Sequence, residues 1–503
     1  MRVAMNRSRA RISFSRPPQA VLAILALALG ALLGLVVVTP LLAGLGAPDE
    51  RLVTWLLPLA GISLLMVISV RSPLAGLLLT LLLAPYSRFI PFDLDLGAGI
   101  PALSLPRIMA VFLLLLLLYQ AVRGQRRLRP LAWSDLALGV FLVVLVLSVA
   151  ESQYGAVFAF QSILDAYVVP FAFLYLGRQI VRNLGDLRWY SAMLVVAGVG
   201  FAFLVIREQL TGEVLFYGRE AARYSASFQK VISLMGNAAP MGVSTAMTLP
   251  LGLALLVQVF DRNAAPSRAR TAARVALPIA LAFVALGVYM TYNRASWLGV
   301  VITLLVLVAL RPPLRRLLLP LLLLALILAL IFWQSVVSSP AVNERLLEDQ
   351  SIGYRSTVAM LALDMVRDDP LLGLGYYNFG PIAKQQYGWD PVPLFGIYPP
   401  AHNSLMFILV SGGLLALLPY LAWFGMVAWQ GARRYLAAAG QEETRDVLAA
   451  GAALLLLYFV ASATFDNVEA VKMNLIFWAT IGAIWGGTCR APDRAGTLRQ
   501  ASG

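Results

Sequence analysis

Long uninterrupted apolar runs constrain this chain more than any other feature. One of them reads LLLPLLLLALILALI from Leu317 to Ile331, and similar runs recur along the 503 residues. About 20 apolar residues in a helix cross the hydrocarbon core of a bilayer. Because 60% of the chain is hydrophobic and only 13% is charged, the composition excludes a water-soluble globular protein and predicts an all-α polytopic membrane protein.

The apolar runs and the polar breaks between them predict fourteen membrane-spanning helices. The predicted spans cover residues 20–45, 52–70, 74–90, 103–122, 132–150, 163–181, 188–206, 238–260, 275–292, 295–310, 317–337, 403–429, 446–465 and 471–488. The first run is longer than the core of a usual signal peptide and lacks a clear cleavage site, so we expect an uncleaved span. We interpret residues 1–503 as one integral membrane domain.

Basic residues are distributed unequally between the two sides that these spans define. The side with both termini carries 26 of the 39 Lys and Arg residues but only 7 of the 25 acidic residues, a net charge of +19, whereas the other side has a net charge of −5. Cytoplasmic loops are enriched in Lys and Arg. The pattern therefore predicts cytoplasmic termini and two long outer loops, residues 207–237 and 338–402.

Arginines on the predicted outer side are candidates for binding an anion. Arg294 occupies the short turn TYNRASW between two predicted spans, where its planar guanidinium could bind a diphosphate through two hydrogen bonds. An interfacial anchor is the alternative interpretation. Three further arginines lie among aromatic residues in the loop of residues 207–237, namely Arg207, Arg219 and Arg223.

The only histidine of the chain is His402, within YPPAHNSLMFILVSGG. Asn403 or Ser404, which follow it, could cap the next predicted span. A helix N-terminus favours neutral imidazole and also attracts phosphate oxygens. Neutral imidazole can accept a proton, so His402 is a candidate general base, with a purely structural histidine as the alternative.

Metal chemistry has little support in the sequence. With one histidine and one cysteine, Cys489 on the opposite side, only carboxylates remain as ligands, and DMVRDD is the sole cluster. We interpret its acids as a solvated helix face and expect no metal or other cofactor. The longer segment IGYRSTVAMLALDMVRDD predicts a helix near the outer membrane surface, which ends before Pro370.

Three segments of the sequence resemble the family of O-antigen ligases and polymerases. TYNRASWLGVVITLLVL is similar to the family's arginine-bearing turn and span, and YRSTVAMLALDMVRDDPLLGLGYYNF to its outer-loop helix and following loop. HNSLMFILVSGG fits the family's histidine, asparagine and glycine. Together they define a family-signature region, residues 291–413.

The resemblance implies a GT-C-like membrane fold with short helices in the large periplasmic loop. It also implies metal-independent, inverting transfer of an undecaprenyl-diphosphate-linked glycan to an acceptor hydroxyl on the periplasmic face of the bacterial inner membrane. By motif match, Arg294 would bind the diphosphate and His402 would act as base. Other substrate-binding candidates in the pattern are Arg355, Asn403 and, as the family's second arginine, Arg223, with Arg219 and Arg207 as alternatives.

The resemblance leaves the acceptor open. A second lipid-linked repeat would make the protein a polymerase, and a lipid A core or another protein would make it a ligase; fourteen spans favour the polymerase. Membrane lipid and other polysaccharide assembly proteins are the further partners that we expect, without nucleic acid.

The main alternative is a flippase or transporter of lipid-linked oligosaccharides. Transporters place ionisable residues near the membrane midplane, often in repeated halves. This sequence has few charges in mid-span and no repeated halves, which favours the enzyme. Arg107 and Lys472 lie beside span ends, where we interpret them as side chains that snorkel to the interface.

Overall fold

The computed structural model describes residues 50–87, 103–216, 231–260, 267–331, 334, 349–389, 401–465 and 470–489. Fifteen helices are defined within these ranges, α1 to α15. In chain order they are α1 (Glu50–Arg71), α2 (Pro73–Leu83), α3 (Leu105–Val122), α4 (Trp133–Leu147), α5 (Ala156–Ile180), α6 (Leu184–Thr211), α7 (Ala238–Phe260), α8 (Arg268–Met290), α9 (Arg294–Leu310), α10 (Pro312–Ile331), α11 (Asp349–Val366), α12 (Phe379–Tyr387), α13 (Ser404–Ala437), α14 (Glu442–Ser462) and α15 (Val471–Thr488).

The helices confirm a polytopic α-helical membrane protein. Over the described ranges, eight helices are long and apolar enough to cross a membrane, or nine if α9 and the first part of α10 form one bent span. The thirteen predicted spans from residue 52 onward coincide with α1 to α10 and α13 to α15. The first predicted span, residues 20–45, lies outside the described residues, so the total of fourteen stays a prediction.

Helices α5 and α15 pack so closely that only glycine fits at their contact. A Cβ atom on Gly482 would lie 2.0 Å from the carbonyl oxygen of Leu174, and one on Gly177 would lie 2.5 Å from that of Ala479. Small residues are common where membrane helices meet, because their backbones can then approach each other. This contact lies beside the bundle interior, where the rings of Trp423 and Trp478 are 4.3 Å apart.

At one end of the bundle, arginines bind acidic residues at the start of α14. Arg311, directly after α9, donates from Nε to Asp446 (2.6 Å) and from Nη2 to Glu442 (2.8 Å), and Arg311 and Asp446 are both buried. Arg188 of α6 donates to Glu443 through two hydrogen bonds of 2.6 Å. These pairs fix the start of α14, and we call this the Arg311 end.

Arg107 differs from its predicted role as a snorkelling side chain. It is buried and donates to Asp165 from Nε and from Nη2, both at 2.7 Å. Asp165 belongs to a π-helical stretch of α5, Leu164–Val168. Lys472, at the start of α15, donates from Nζ to the carbonyl oxygen of Pro85 at 2.7 Å. Both cations therefore bind partners within the protein instead of extending only towards the interface.

Candidate active site at the start of helix α13

His402 lies immediately before α13, in a backbone conformation with φ +50°. The following Asn403 is extended, and its Oδ1 accepts hydrogen bonds from the backbone N–H groups of Leu405 (2.9 Å) and Met406 (3.3 Å). This satisfies N–H groups that have no partner within the helix. The predicted cap is therefore Asn403, and His402 is held at the positive end of the helix dipole.

The residues after His402 also fix the start of α13 to the far end of α14. Asn403 donates from Nδ2 to the carbonyl oxygen of Ala463 at 2.9 Å, and Ser404 donates from Oγ to that of Phe465 at 2.8 Å. Ser404 thus binds a neighbouring segment, while Asn403 both caps α13 and binds α14. We call this the His402 end of the bundle; it is opposite the Arg311 end.

The imidazole of His402 is partly buried beside α11. Its centroid lies 5.5 Å from that of the Tyr354 ring, at an interplanar angle of 59°. Burial lowers the pKa of His402 below its usual value, and the positive charge of Arg355 lowers this pKa further. His402 therefore favours the neutral form near pH 7, which can accept a proton.

A row of aromatic rings continues from His402 to residues of α11 and α12. The Tyr354 ring is 5.8 Å from that of Trp389, and the Trp389 ring is 5.6 Å from that of Phe379. Phe379 is buried, whereas Tyr354 is 38% exposed. The row therefore runs from a buried anchor to an exposed ring beside the imidazole.

Arg294 is the first residue of α9 and directly follows an asparagine cap, whereas His402 directly precedes one. Asn293, directly before it, is extended, and its Oδ1 accepts a hydrogen bond from the backbone N–H of Ser296 at 3.0 Å. Close by, the rings of Tyr289 and Trp297 stack with centroids 5.6 Å apart. The cap and the rings fix the turn, so the Arg294 side chain begins from a defined position at the helix start.

Helix α14 relates Arg294 to His402. Arg311, at the end of α9, binds residues at the start of α14, and a Cβ atom on Gly299, near the start of α9, would lie 3.0 Å from Leu457 near the end of α14. The two helices are therefore antiparallel, and Arg294 lies level with the end of α14. The start of α13 binds that same end, so Arg294 and His402 belong to one end of the bundle.

Helix α13 is broken at two glycines ten residues after His402. Gly412 has φ −141° and ψ 16°, and Gly413 has φ +60° and ψ −161°, the second of which is a conformation essentially restricted to glycine. The sequence predicted one uninterrupted span over residues 403–429. The break instead separates a short helix that begins beside His402 from the longer helix that ends at Ala437.

The loop between α11 and α12 fills this break with its own backbone. The N–H of Leu374 donates to the carbonyl oxygen of Val410 at 2.7 Å, and the N–H of Leu414 donates to that of Pro370 at 2.9 Å. Backbone groups that the break removes from the helix are thereby paired, as buried backbone requires. We call this arrangement the interlock; it comprises residues 370–374 and 410–415.

The interlock brings two backbones into contact without side chains between them. A Cβ atom on Gly413 would lie 2.1 Å from the carbonyl oxygen of Leu371, and one on Gly373, which has φ +73°, would lie 2.5 Å from that of Val410. The same loop is joined to α13 by a small core in which Val358 of α11 and Val410 are buried together. The loop between α11 and α12 and the short helix after His402 are thus one packed unit.

Residues 279–421 match a protein family model described as O-antigen ligase. This part of the chain is similar to the O-antigen ligases. The match begins within α8, ends within α13, and includes Arg294, Arg355, His402 and the interlock. The predicted resemblance is confirmed, and the match supports glycosyl transfer in surface polysaccharide assembly. A comparison with curated proteins found no match.

The other arginines predicted to bind substrate have different surroundings. Arg355 is exposed on α11 and acts on His402 through its charge. Arg207 donates from Nη2 to Glu213 at 2.6 Å, an ion pair near the end of α6. Arg219 and Arg223 lie outside the described residues, so their placement stays a prediction.

No three His, Cys, Asp or Glu side chains come close enough to hold a metal ion within the ranges that the structure describes. In the acidic cluster DMVRDD, Asp364 forms an ion pair with Arg367 at 2.7 Å, and the Arg367 side chain is 78% exposed. The exposed pair fits the interpretation of this segment as a solvated helix face.

Sequence reasoning did not single out four parts of this candidate site. They are the ring of Tyr354, the ring of Trp389, the carbonyl groups of Ala463 and Phe465, and the interlock. Two consecutive glycines inside an apolar run were a usable signal for the break, because glycine is unfavourable in a helix interior. The aromatic row and the carbonyl contacts join segments that are far apart in the sequence, so no local sequence pattern predicts them.

Proposed function

We propose that this protein transfers an undecaprenyl-diphosphate-linked glycan to an acceptor hydroxyl on the periplasmic face of the bacterial inner membrane, without a metal ion. The observation that carries the proposal is the position of His402 in the O-antigen ligase domain. Its imidazole is partly buried at a capped helix start, has a lowered pKa, and lies at the same end of the bundle as Arg294. These are the features required of a base that works beside an anionic leaving group.

The proposed reaction is a single displacement. The acceptor oxygen attacks the anomeric carbon while the bond from that carbon to the diphosphate oxygen breaks, and undecaprenyl diphosphate leaves with the electron pair. His402 accepts the hydroxyl proton, and the attack inverts the anomeric configuration. Arg294 donates hydrogen bonds to the diphosphate and offsets the charge that develops on the leaving group.

The first experiment identifies the reaction and its acceptor. Purified protein is incubated with an undecaprenyl-diphosphate-linked oligosaccharide, with and without a lipid A core acceptor, and products are analysed by mass spectrometry. A ladder of repeats identifies a polymerase, and a capped core identifies a ligase. Absence of any glycan product in both incubations would contradict the proposal, and movement of the donor between leaflets without product would favour the flippase.

His402 is tested with two substitutions. His402→Ala removes the base, and His402→Asn also removes it while placing at φ +50° a residue type that accepts this conformation. We expect both to lower transfer by about 100-fold or more, since general base catalysis contributes about that much. Undiminished product from the Asn variant, with normal folding and membrane insertion, would exclude His402 as the base.

Arg294→Lys tests diphosphate binding. Lysine keeps the charge but loses the planar fork, so we expect kcat/KM to fall by about tenfold, the loss of one charge-assisted hydrogen bond. Arg367→Lys is the matched control, because Arg367 is an exposed arginine on the loop that leads to His402. Equal activity of the Arg294→Lys variant and the control would exclude bidentate binding by Arg294.

A further inference from the structure

The aromatic row beside His402 has an arrangement suited to a sugar ring. Tyr354 belongs to α11, and Trp389 follows the end of α12, so two separate segments bring their rings within 5.8 Å of each other. The Tyr354 ring lies next to the imidazole at 5.5 Å. An apolar surface of two rings, tilted by 39° to each other, therefore adjoins the group that we propose as the base.

The local backbone holds Trp389 in this row. Helix α12 ends at Tyr387 and is capped by Gly388, which has φ +66°, and the N–H of Trp389 donates to the carbonyl oxygen of Ala383 at 3.1 Å. Its ring then packs against the buried Phe379 at 5.6 Å in an edge-to-face contact. A large side chain that becomes ordered only when a ligand binds loses conformational entropy at that step, which weakens binding. These contacts already order Trp389 in the folded protein, so ligand binding does not carry that entropy loss.

The chemistry of sugars matches such a surface. A pyranose ring presents several C–H groups on one face and hydroxyl groups around its edge. The C–H face packs on an aromatic ring through dispersion and through the negative charge of the ring face, which leaves the edge hydroxyls free to reach a base. Arg355, next to Tyr354, is exposed beside the row.

We propose that Tyr354 and Trp389 form the stacking platform for the acceptor sugar, oriented so that its attacking hydroxyl meets His402. The inference rests on the proposed function, since it names the subsite of the same reaction. It applies equally to a lipid-linked repeat or a lipid A core that presents a pyranose ring to the base.

The competing interpretation is an aromatic belt at the membrane interface, where Tyr and Trp are common. The protein offers a matched control for it. Tyr387, at the end of α12, is 39% exposed, almost the same as Tyr354 at 38%. If both tyrosines serve an aromatic belt, replacing either one should change the acceptor KM to a similar extent. If Tyr354 is part of a platform beside His402, only its replacement should change the acceptor KM.

The experiment measures transfer kinetics while the acceptor concentration is varied. For Tyr354→Leu and Trp389→Leu we expect the acceptor KM to rise about tenfold, with kcat changed by less than about threefold, a loss typical of removing one ring from a stacked contact. Tyr354→Phe retains the ring and should restore most of the affinity. Tyr387→Leu should leave the acceptor KM at the wild-type value.

Binding without turnover separates this inference from the proposed function. The oligosaccharide repeat released from the organism's own surface polysaccharide is added to the His402→Asn variant, and saturation-transfer NMR detects contact with the protein. The signal should fall when Tyr354→Leu is added to this variant and persist with Tyr387→Leu. Equal acceptor KM values, or an equal NMR signal, for the two tyrosine substitutions in a protein that transfers glycan would overturn the platform while leaving the proposed function intact.

Discussion

Replacing Gly413 by alanine should disable the interlock and thereby displace His402. Gly413 combines φ +60° with ψ −161°, a region in which a residue with a side chain costs about 1–3 kcal/mol. The added Cβ would also lie 2.1 Å from the carbonyl oxygen and 2.3 Å from the carbonyl carbon of Leu371. These atoms belong to the backbone, so the contact can be relieved only by moving the two segments apart.

Separation of the segments breaks hydrogen bonds as well. Leu414 and Leu415 donate to Pro370 and Leu371 at 2.9 and 3.2 Å, and each such bond contributes about 0.5–1.5 kcal/mol. With the strain, the expected destabilisation of the interlock is about 2–6 kcal/mol. We expect the outer loop to separate from α13 locally while the helices on the membrane side of the break stay packed.

The assay compares Gly413→Ala with Gly425→Ala in the same helix. A Cβ atom on Gly425 would meet nothing within 4 Å, so this control should be neutral or more stable by about 0.5–1 kcal/mol. Hydrogen exchange should accelerate at residues 370–374 and 410–415 only in Gly413→Ala, and its glycan transfer should fall. Wild-type exchange and transfer in Gly413→Ala would refute the reasoning.

Three further predictions concern charge and capping. Arg355→Gln removes the cation that lowers the pKa of His402; this pKa should rise, the base should become protonated at a higher pH, and the acid limb of the kcat/KM profile should move upward, whereas an unmoved limb would contradict the assignment. Arg311→Met leaves the buried Asp446 without its cation and should destabilise the protein by about 3–5 kcal/mol in thermal unfolding; an unchanged transition would show that the pair contributes little. Asn403→Ala removes the cap of α13 and should lower the free energy of unfolding by about 0.5–2 kcal/mol. Because the cap also positions His402, glycan transfer should fall even where the variant remains folded; wild-type stability and wild-type transfer in this variant would contradict the prediction.

The sequence predicted the helices well because burial in a membrane leaves a strong local signal. Apolar runs alone locate α1 to α10 and α13 to α15. The segment from Ile352 to Asp369 was predicted as a helix that ends before Pro370, and α11 ends at Val366. Asn403 was one of two predicted caps and is the one found. In each case, residues close in sequence determine the outcome.

The sequence did not predict features that depend on contacts between distant segments. Arg107 looked like an interfacial side chain, because nothing nearby in the sequence indicates that Asp165 of α5 lies opposite it. Likewise, α13 looked continuous, because the backbone of residues 370–374 that fills its break comes from another part of the chain. An apolar run predicts that a segment is in the membrane, but it does not indicate where another segment interrupts it.

Helix α14 carries a constraint on length. Its start binds Arg311 through Glu442, and the segment at its end accepts the hydrogen bond of Asn403 through Ala463. One inserted residue would advance a helix by about 1.5 Å and rotate everything beyond it by about 100°, so only one of the two contacts could survive. Distant homologues should therefore preserve the residue count from Glu442 to Ala463 while positions such as Leu456, which is 42% exposed, vary freely. That spacing would identify relatives whose individual residues have diverged beyond recognition.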